Sequence, residues 1–239
     1  MYLWDMRYFV IMLPVLALTM WAQWHVRSAF EKYSKVRTMQ GLTGAQVART
    51  ILDSQGLTGV PVEELPNAGP LDNHYDPRDR TLHLSPQVAR SNSVAAVGVA
   101  AHECGHAVQH AQSYIPLQAR TAIVPAAAFG SNIGGLLVMA GVMLFIFTHV
   151  GFAFWLVWAG IAFFAIATIF SMLTLPVELN ASKRAMSLLQ STGLIDRTEY
   201  GEARSVLNAA AWTYVAGLAA AVANLFYYIM LASGMGRRR

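Results

Sequence analysis

Residues 121–177 contain no Asp, Glu, Lys or Arg, a charge-free run of 57 positions, and this restricts the fold more than any other feature of the chain. A bilayer takes about 20 helical residues per crossing, so the run is far too long for one span and suits two joined by a tight turn. Thr148-His149-Val150-Gly151 is the natural hairpin. Residues 8–26 and 209–236 are also uncharged and long enough for one crossing each. The expected spans are therefore 8–26, 121–147, 152–175 and 209–233. The first reads as an uncleaved anchor, because it ends in an interface-like flank of Trp21, Trp24, His25 and Arg27 rather than in a small-residue cleavage site. A composition of 55% hydrophobic and 13% charged residues, with positive mean hydropathy, excludes an ordinary soluble domain.

What lies between the spans has a different character. Residues 27–120 read as a small α+β unit. Thr43-Gly44-Ala45-Gln46 is a capping box that opens a helix running to about Gln55, and Gly56 ends it. Val60-Pro61-Val62-Glu63-Glu64-Leu65 and Thr81-Leu82-His83-Leu84-Ser85 read as short strands, with a turn at Asp76-Pro77-Arg78-Asp79. A helix over about 93–112 follows, with Ser91, Asn92 or Ser93 as its cap. Residues 177–208 form a second helical segment, which Pro176 is expected to start afresh after the third span. The fold class is thus a mainly α membrane protein: four transmembrane helices plus a small α+β unit, with a short sheet beside the helix over 93–112.

That helix carries His102-Glu103-Cys104-Gly105-His106. Side chains four apart share a helix face, so both imidazoles can reach one metal ion, and Glu103 lies beside the position of a metal-bound water. Zinc lowers the pKa of such a water to about 7, and a neighbouring carboxylate can take its proton as it attacks a carbonyl. Ala95, Gly98, Val99, His102, Gly105 and His106 form one stripe, and its two glycines allow a close approach by another helix or a metal. His110 continues the series but lies beyond the site, since three ligands on one straight helix cannot surround a tetrahedral ion.

The third ligand must come from elsewhere. A metzincin would place Gly at 109 and His at 112, where this chain has Gln109 and Gln112, and no later span holds the Asp of a site-2-type intramembrane protease. Glu178 is the best candidate. It opens a helical face shared with Ala181, Ser182, Ala185 and Leu189, while Lys183, Ser187 and Gln190 point away. Ser182, one turn on, is placed to orient a ligand imidazole. An oxyanion needs a donor as well, and His74, Tyr75, Asn180 and Tyr214 are the candidates; no spacing rule selects among them.

Together these motifs resemble a known family. Asn73-His74-Tyr75-Asp76-Pro77-Arg78, the H-E-x-x-H segment, Leu175-Pro176-Val177-Glu178-Leu179-Asn180-Ala181-Ser182 and Ser205-Val206-Leu207-Asn208-Ala209-Ala210-Ala211-Trp212-Thr213-Tyr214 resemble the YugP-type bacterial membrane zinc metallopeptidases. The likeness covers residues 25–230. More remotely the chain is similar to gluzincins of the HtpX and CaaX prenyl protease group. The resemblance implies one Zn2+ per chain held by His102, His106 and Glu178, with Glu103 as general base. It departs from the remote group in having Ser182 where that group has Asp.

An even number of crossings puts both termini on one face, and the two-span hairpin returns the chain to the side of the H-E-x-x-H helix. Arg27, Lys32, Lys35, Arg37, Arg120, Lys183 and Arg184 flank that side, against Arg7 and Arg237-Arg238-Arg239 on the other. The positive-inside rule then favours a cytoplasmic active site in a bacterial plasma membrane. Expected partners are the lipid bilayer and a protein or peptide substrate, the latter pairing with a sheet edge near residues 81–85. No basic, aromatic-studded soluble domain is present for nucleic acid. Cys104 is the only cysteine, so it forms no intrachain disulfide, and it reads as a small buried hydrophobe. The leading function is an integral-membrane zinc endopeptidase. The alternative is a non-cleaving scaffold or adaptor, against which stands a set of three ligands where structural zinc sites usually have four.

Overall fold

A computed structural model describes residues 6–148 and 150–236. In chain order the elements are α1 (Met6–Tyr33), α2 (Gly44–Ser54), β1 (Val62–Glu64), β2 (His74–Asp76), β3 (Thr81–Leu84), α3 (Pro86–Ala89), α4 (Val94–Ala111), α5 (Ile115–Thr148), α6 (Gly151–Ser191) and α7 (Arg197–Gly236). Four helices, Met6–Tyr33, Ile115–Thr148, Gly151–Ser191 and Arg197–Met235, are long and apolar enough to cross a membrane. The protein is a mainly α membrane protein with one small sheet. The expected hairpin falls between α5 and α6; His149 within it, like the Arg237-Arg238-Arg239 triplet, lies outside the described residues.

Contacts divide the chain into two compact units. One comprises Met1–Trp21, Ala119–Leu175 and Tyr214–Arg239. Its helices approach closely through small residues, as helices without a hydrophobic driving force between them must. A Cβ added at Gly160 would lie 2.7 Å from the Gly134 carbonyl oxygen, and one at Gly141 would lie 2.6 Å from Val157. Val138, Phe145, Val157, Ile161 and Met235 are buried in this unit, whereas Leu136, Phe147, Phe152 and Trp155 face outward.

The other unit comprises Ala22–Gln118 and Pro176–Thr213. The Thr43 capping box is formed in both directions: the Thr43 side chain accepts from Gln46 N, and Gln46 accepts from Thr43 N. Gly56 takes a φ of +72° just past the end of α2, a conformation that favours glycine. Val47, Ile51 and Leu52 of α2 pack with Leu82, Leu84, Val88, Val97, Cys104 and Leu189 in one core.

Two expectations need correction. The sheet has three strands in the order β1-β3-β2, with β1 parallel and β2 antiparallel to β3. Residues 81–84 therefore form the central strand, paired on both sides, and Ser85 already caps α3, so this stretch offers no edge to a substrate. The second concerns Pro176, expected to start a new helix. Instead α6 runs through it from Gly151 to Ser191. The missing proline N–H removes one ladder bond, and the bonds on either side carry the helix across.

Candidate metal centre

Ser93 caps α4 by accepting a hydrogen bond from Ala96 N. Its small residues let neighbours close in until only Val99, His102, His110 and Ala111 escape full burial. Three of these, Val99, His102 and His110, fall with His106 on one helical stripe, and that stripe is the half-open side of an otherwise enclosed helix. α6 presents the facing surface. Glu178, Ala181, Ala185 and Leu189 are buried, Ser182 is half-buried, and Lys183, Ser187 and Gln190 are exposed.

The two helices meet closely because one residue lacks a side chain. A Cβ at Gly105 would lie 2.5 Å from the Ala181 carbonyl oxygen, closer than real Cβ atoms come. Gly105 stands between His102 and His106, and Ala181 between Glu178 and Ser182, so this approach sets the separation of the functional groups. His102 Nε2 lies 3.2 Å from Glu178 Oε2, and His106 Nε2 lies 3.4 Å from the same oxygen. The two imidazole rings are 4.9 Å apart and nearly perpendicular. All three candidate ligand atoms lie within 4.8 Å of one another.

Zinc fits this set. Ligand bonds of about 2.0–2.1 Å at tetrahedral angles separate neighbouring ligand atoms by about 3.3 Å, close to both histidine-to-Glu178 distances. Among the described residues, no fourth His, Cys, Asp or Glu joins the group. That donor set of three, with one position left over, is the pattern of catalytic rather than structural zinc. Burial raises the cost of charge on Glu178, yet its hydrogen bonds with His102 and His106 outweigh this and hold its carboxyl below the usual carboxylate range. Glu103, on α4 between the two histidines, is buried at 7% exposure.

Around this centre, Ser182 Oγ lies 3.1 Å from His102 Nδ1. Gln109, fully buried, has its Oε1 at 3.0 Å from His106 Nδ1 and donates its Nε2 to the Val177 carbonyl and to Asn180 Oδ1, both at 2.9 Å. In the sequence Gln109 served only to exclude one zincin class. Its i+3 spacing from His106 is the signal that could have placed it beside that ring. Asn180 is engaged by Gln109 and also accepts from Arg184 Nε at 2.7 Å.

The other donor candidates have separate surroundings. Tyr75 on β2 meets His110 Nδ1 through its hydroxyl at 2.8 Å, and burial pushes its phenol up, so it stays protonated at neutral pH. His74 stacks on His83 with ring centroids 4.9 Å apart. Tyr214 belongs to the other compact unit. Cys104 is buried with its Sγ directed at the Ala48 carbonyl, 3.6 Å away, and burial raises its thiol well above the usual range.

Two imidazoles and a carboxylate on buried helices, in a chain with four membrane-length helices, define a class: the membrane zinc peptidases. Comparison with known proteins agrees. The family described as "Putative neutral zinc metallopeptidase" matches residues 8–233, and the chain belongs to it. It is 42% identical over 226 residues to "Putative membrane protease YugP" of Bacillus subtilis (strain 168), a match covering 95% of this chain and 96% of that protein. No solved structure matches.

Proposed function

We propose that this protein is an integral-membrane zinc endopeptidase that hydrolyses peptide bonds of membrane or membrane-proximal proteins. The observation that carries the reading is the convergence of His102 and His106, on the half-open stripe of α4, with Glu178 of α6, the two Nε2 atoms lying 3.2 and 3.4 Å from Glu178 Oε2. His102, His106 and Glu178 hold the ion. Bound zinc supplies Lewis acidity and a water acidic enough to ionise near neutral pH. Glu103 takes the proton from the attacking water and passes it to the leaving amine.

Substrate positioning falls to β2. Among the described residues this strand pairs only with β3, so its outer edge is open to an extended peptide through main-chain hydrogen bonds, which ignore side-chain identity. Tyr75 on the same strand, protonated and held by His110, is the donor candidate that a substrate paired with β2 would bring with it. The charge bias of the loops supports a reading in which this chemistry faces the cytoplasm of a bacterial cell.

The test is a paired measurement on detergent-purified wild type and Glu103→Gln: zinc content, and cleavage of an unfolded protein. Equal zinc in both, with cleavage by the wild type alone, is the expected result. Undiminished cleavage by Glu103→Gln would sink the proposed mechanism, and equal zinc without cleavage by either would favour a binding protein.

A further inference from the structure

We infer that Gln109 is a positioning residue that sets the tautomer of His106 and so determines which nitrogen faces the metal. This rests on the zinc reading above and goes beyond it, because it assigns a role to a residue that is neither ligand nor base.

Donor and acceptor roles fix the orientation of the Gln109 amide. A backbone carbonyl only accepts, so the Gln109 atom 2.9 Å from the Val177 oxygen must be the amide nitrogen. A second, independent witness says the same. Arg184 has no acceptor, so its Nε fixes the Asn180 atom 2.7 Å away as the carbonyl oxygen, and that oxygen in turn accepts from Gln109 Nε2. With the nitrogen committed on both counts, the Gln109 oxygen is the atom that faces His106, at 3.0 Å from Nδ1. An oxygen there requires Nδ1 to carry a proton. In the neutral ring Nε2 is then a bare lone pair, and it points at Glu178 Oε2 from 3.4 Å.

Two acceptors so placed repel unless a cation lies between them, either a proton, which makes the contact a hydrogen bond to Glu178, or the metal ion. Gln109 thus does two things at once: it exposes the metal-facing lone pair of His106, and through Val177 it ties α4 to the residue next to Glu178. It costs nothing in charge, since the amide is neutral and its atoms are paired, which suits a side chain buried to 0% exposure. His102 has no equivalent constraint. Its Nδ1 faces the Ser182 hydroxyl, which can donate or accept, so that contact orients the ring without dictating its tautomer.

The experiment uses full-length protein in detergent, with zinc affinity read by chelator competition and site geometry by the visible spectrum of the cobalt-substituted protein. Gln109→Met keeps the length and removes both hydrogen-bonding functions; Gln109→Glu keeps an acceptor for His106 Nδ1–H. Thermal unfolding in excess chelator monitors the fold of each. Gln109→Met is expected to weaken zinc about 10- to 100-fold and to alter the cobalt spectrum, with Gln109→Glu retaining clearly tighter binding than Gln109→Met. Wild-type zinc affinity and an unchanged spectrum in Gln109→Met would overturn the inference. So would equal losses in both variants that merely track a lower unfolding temperature. If the wild type itself binds no zinc, the metal reading falls and the inference with it, and that failure is recognisable before any variant is compared.

Discussion

Glu178 combines near-complete burial with a charge that His102 and His106 help to stabilise. Its removal should therefore be felt first in the metal: Glu178→Ala is expected to lose zinc to a chelator that leaves the wild type loaded, checked by metal content after dialysis. Tyr75→Phe is the converse case. It keeps the ring and removes the hydroxyl, and kcat should fall about 10²- to 10³-fold with zinc content unchanged if Tyr75 supplies the oxyanion donor; a kcat within threefold of wild type would discard that role. Cys104, inside the motif but buried and poorly ionised, should resist alkylation in the folded protein, and Cys104→Ala should retain full activity. His102, Glu103 and His106 were readable because helix geometry alone brings them together. Gln109 was not, because the partners that give it meaning lie 68 and 71 residues downstream.

Between elements, the contact of α4 with α6 is set by Gly105. In an isolated helix Gly→Ala is favourable by about 1 kcal/mol, so any loss from Gly105→Ala measures the clash with Ala181. The expected outcome is destabilisation of about 1–3 kcal/mol together with weakened zinc binding, measured by denaturant or thermal unfolding and chelator competition. Gly98→Ala is the internal control: its added Cβ would meet Ala203 at an ordinary 3.6 Å, and it should be neutral or stabilising. Both glycines were visible in the sequence as points of close approach, but only three-dimensional packing separates the one that requires glycine from the one that does not. The strand β2 went unread for another reason. Three residues, His74, Tyr75 and Asp76, are too few for an alternating pattern, and a neighbouring turn signal at Asp76 to Asp79 masked them. Pro176 misled because proline in a helix interior is normally a stop, and nothing local shows that α6 continues on both sides of it.

For the molecule as a whole, the four membrane-length helices were legible from gaps in charge, since a bilayer's exclusion of charge leaves its mark in sequence without any need for packing. Orientation can be tested with single reporter cysteines, because the native Cys104 is buried and gives a silent background. Val150→Cys lies between α5 and α6 at a position 48% exposed, and Ser191→Cys lies at the exposed end of α6. In intact cells a membrane-impermeant maleimide should label the first and spare the second; the opposite pattern would put the active site outside.

The order of the ligands along the chain has a consequence in time. His102 and His106 leave the ribosome well before Glu178, which follows His106 by 72 residues. At about 5–20 residues per second that interval is roughly 4–14 s, and what is made during it is α5 and the part of α6 that precedes Glu178. The candidate metal centre is thus incomplete until the membrane hairpin between its two halves has been translated.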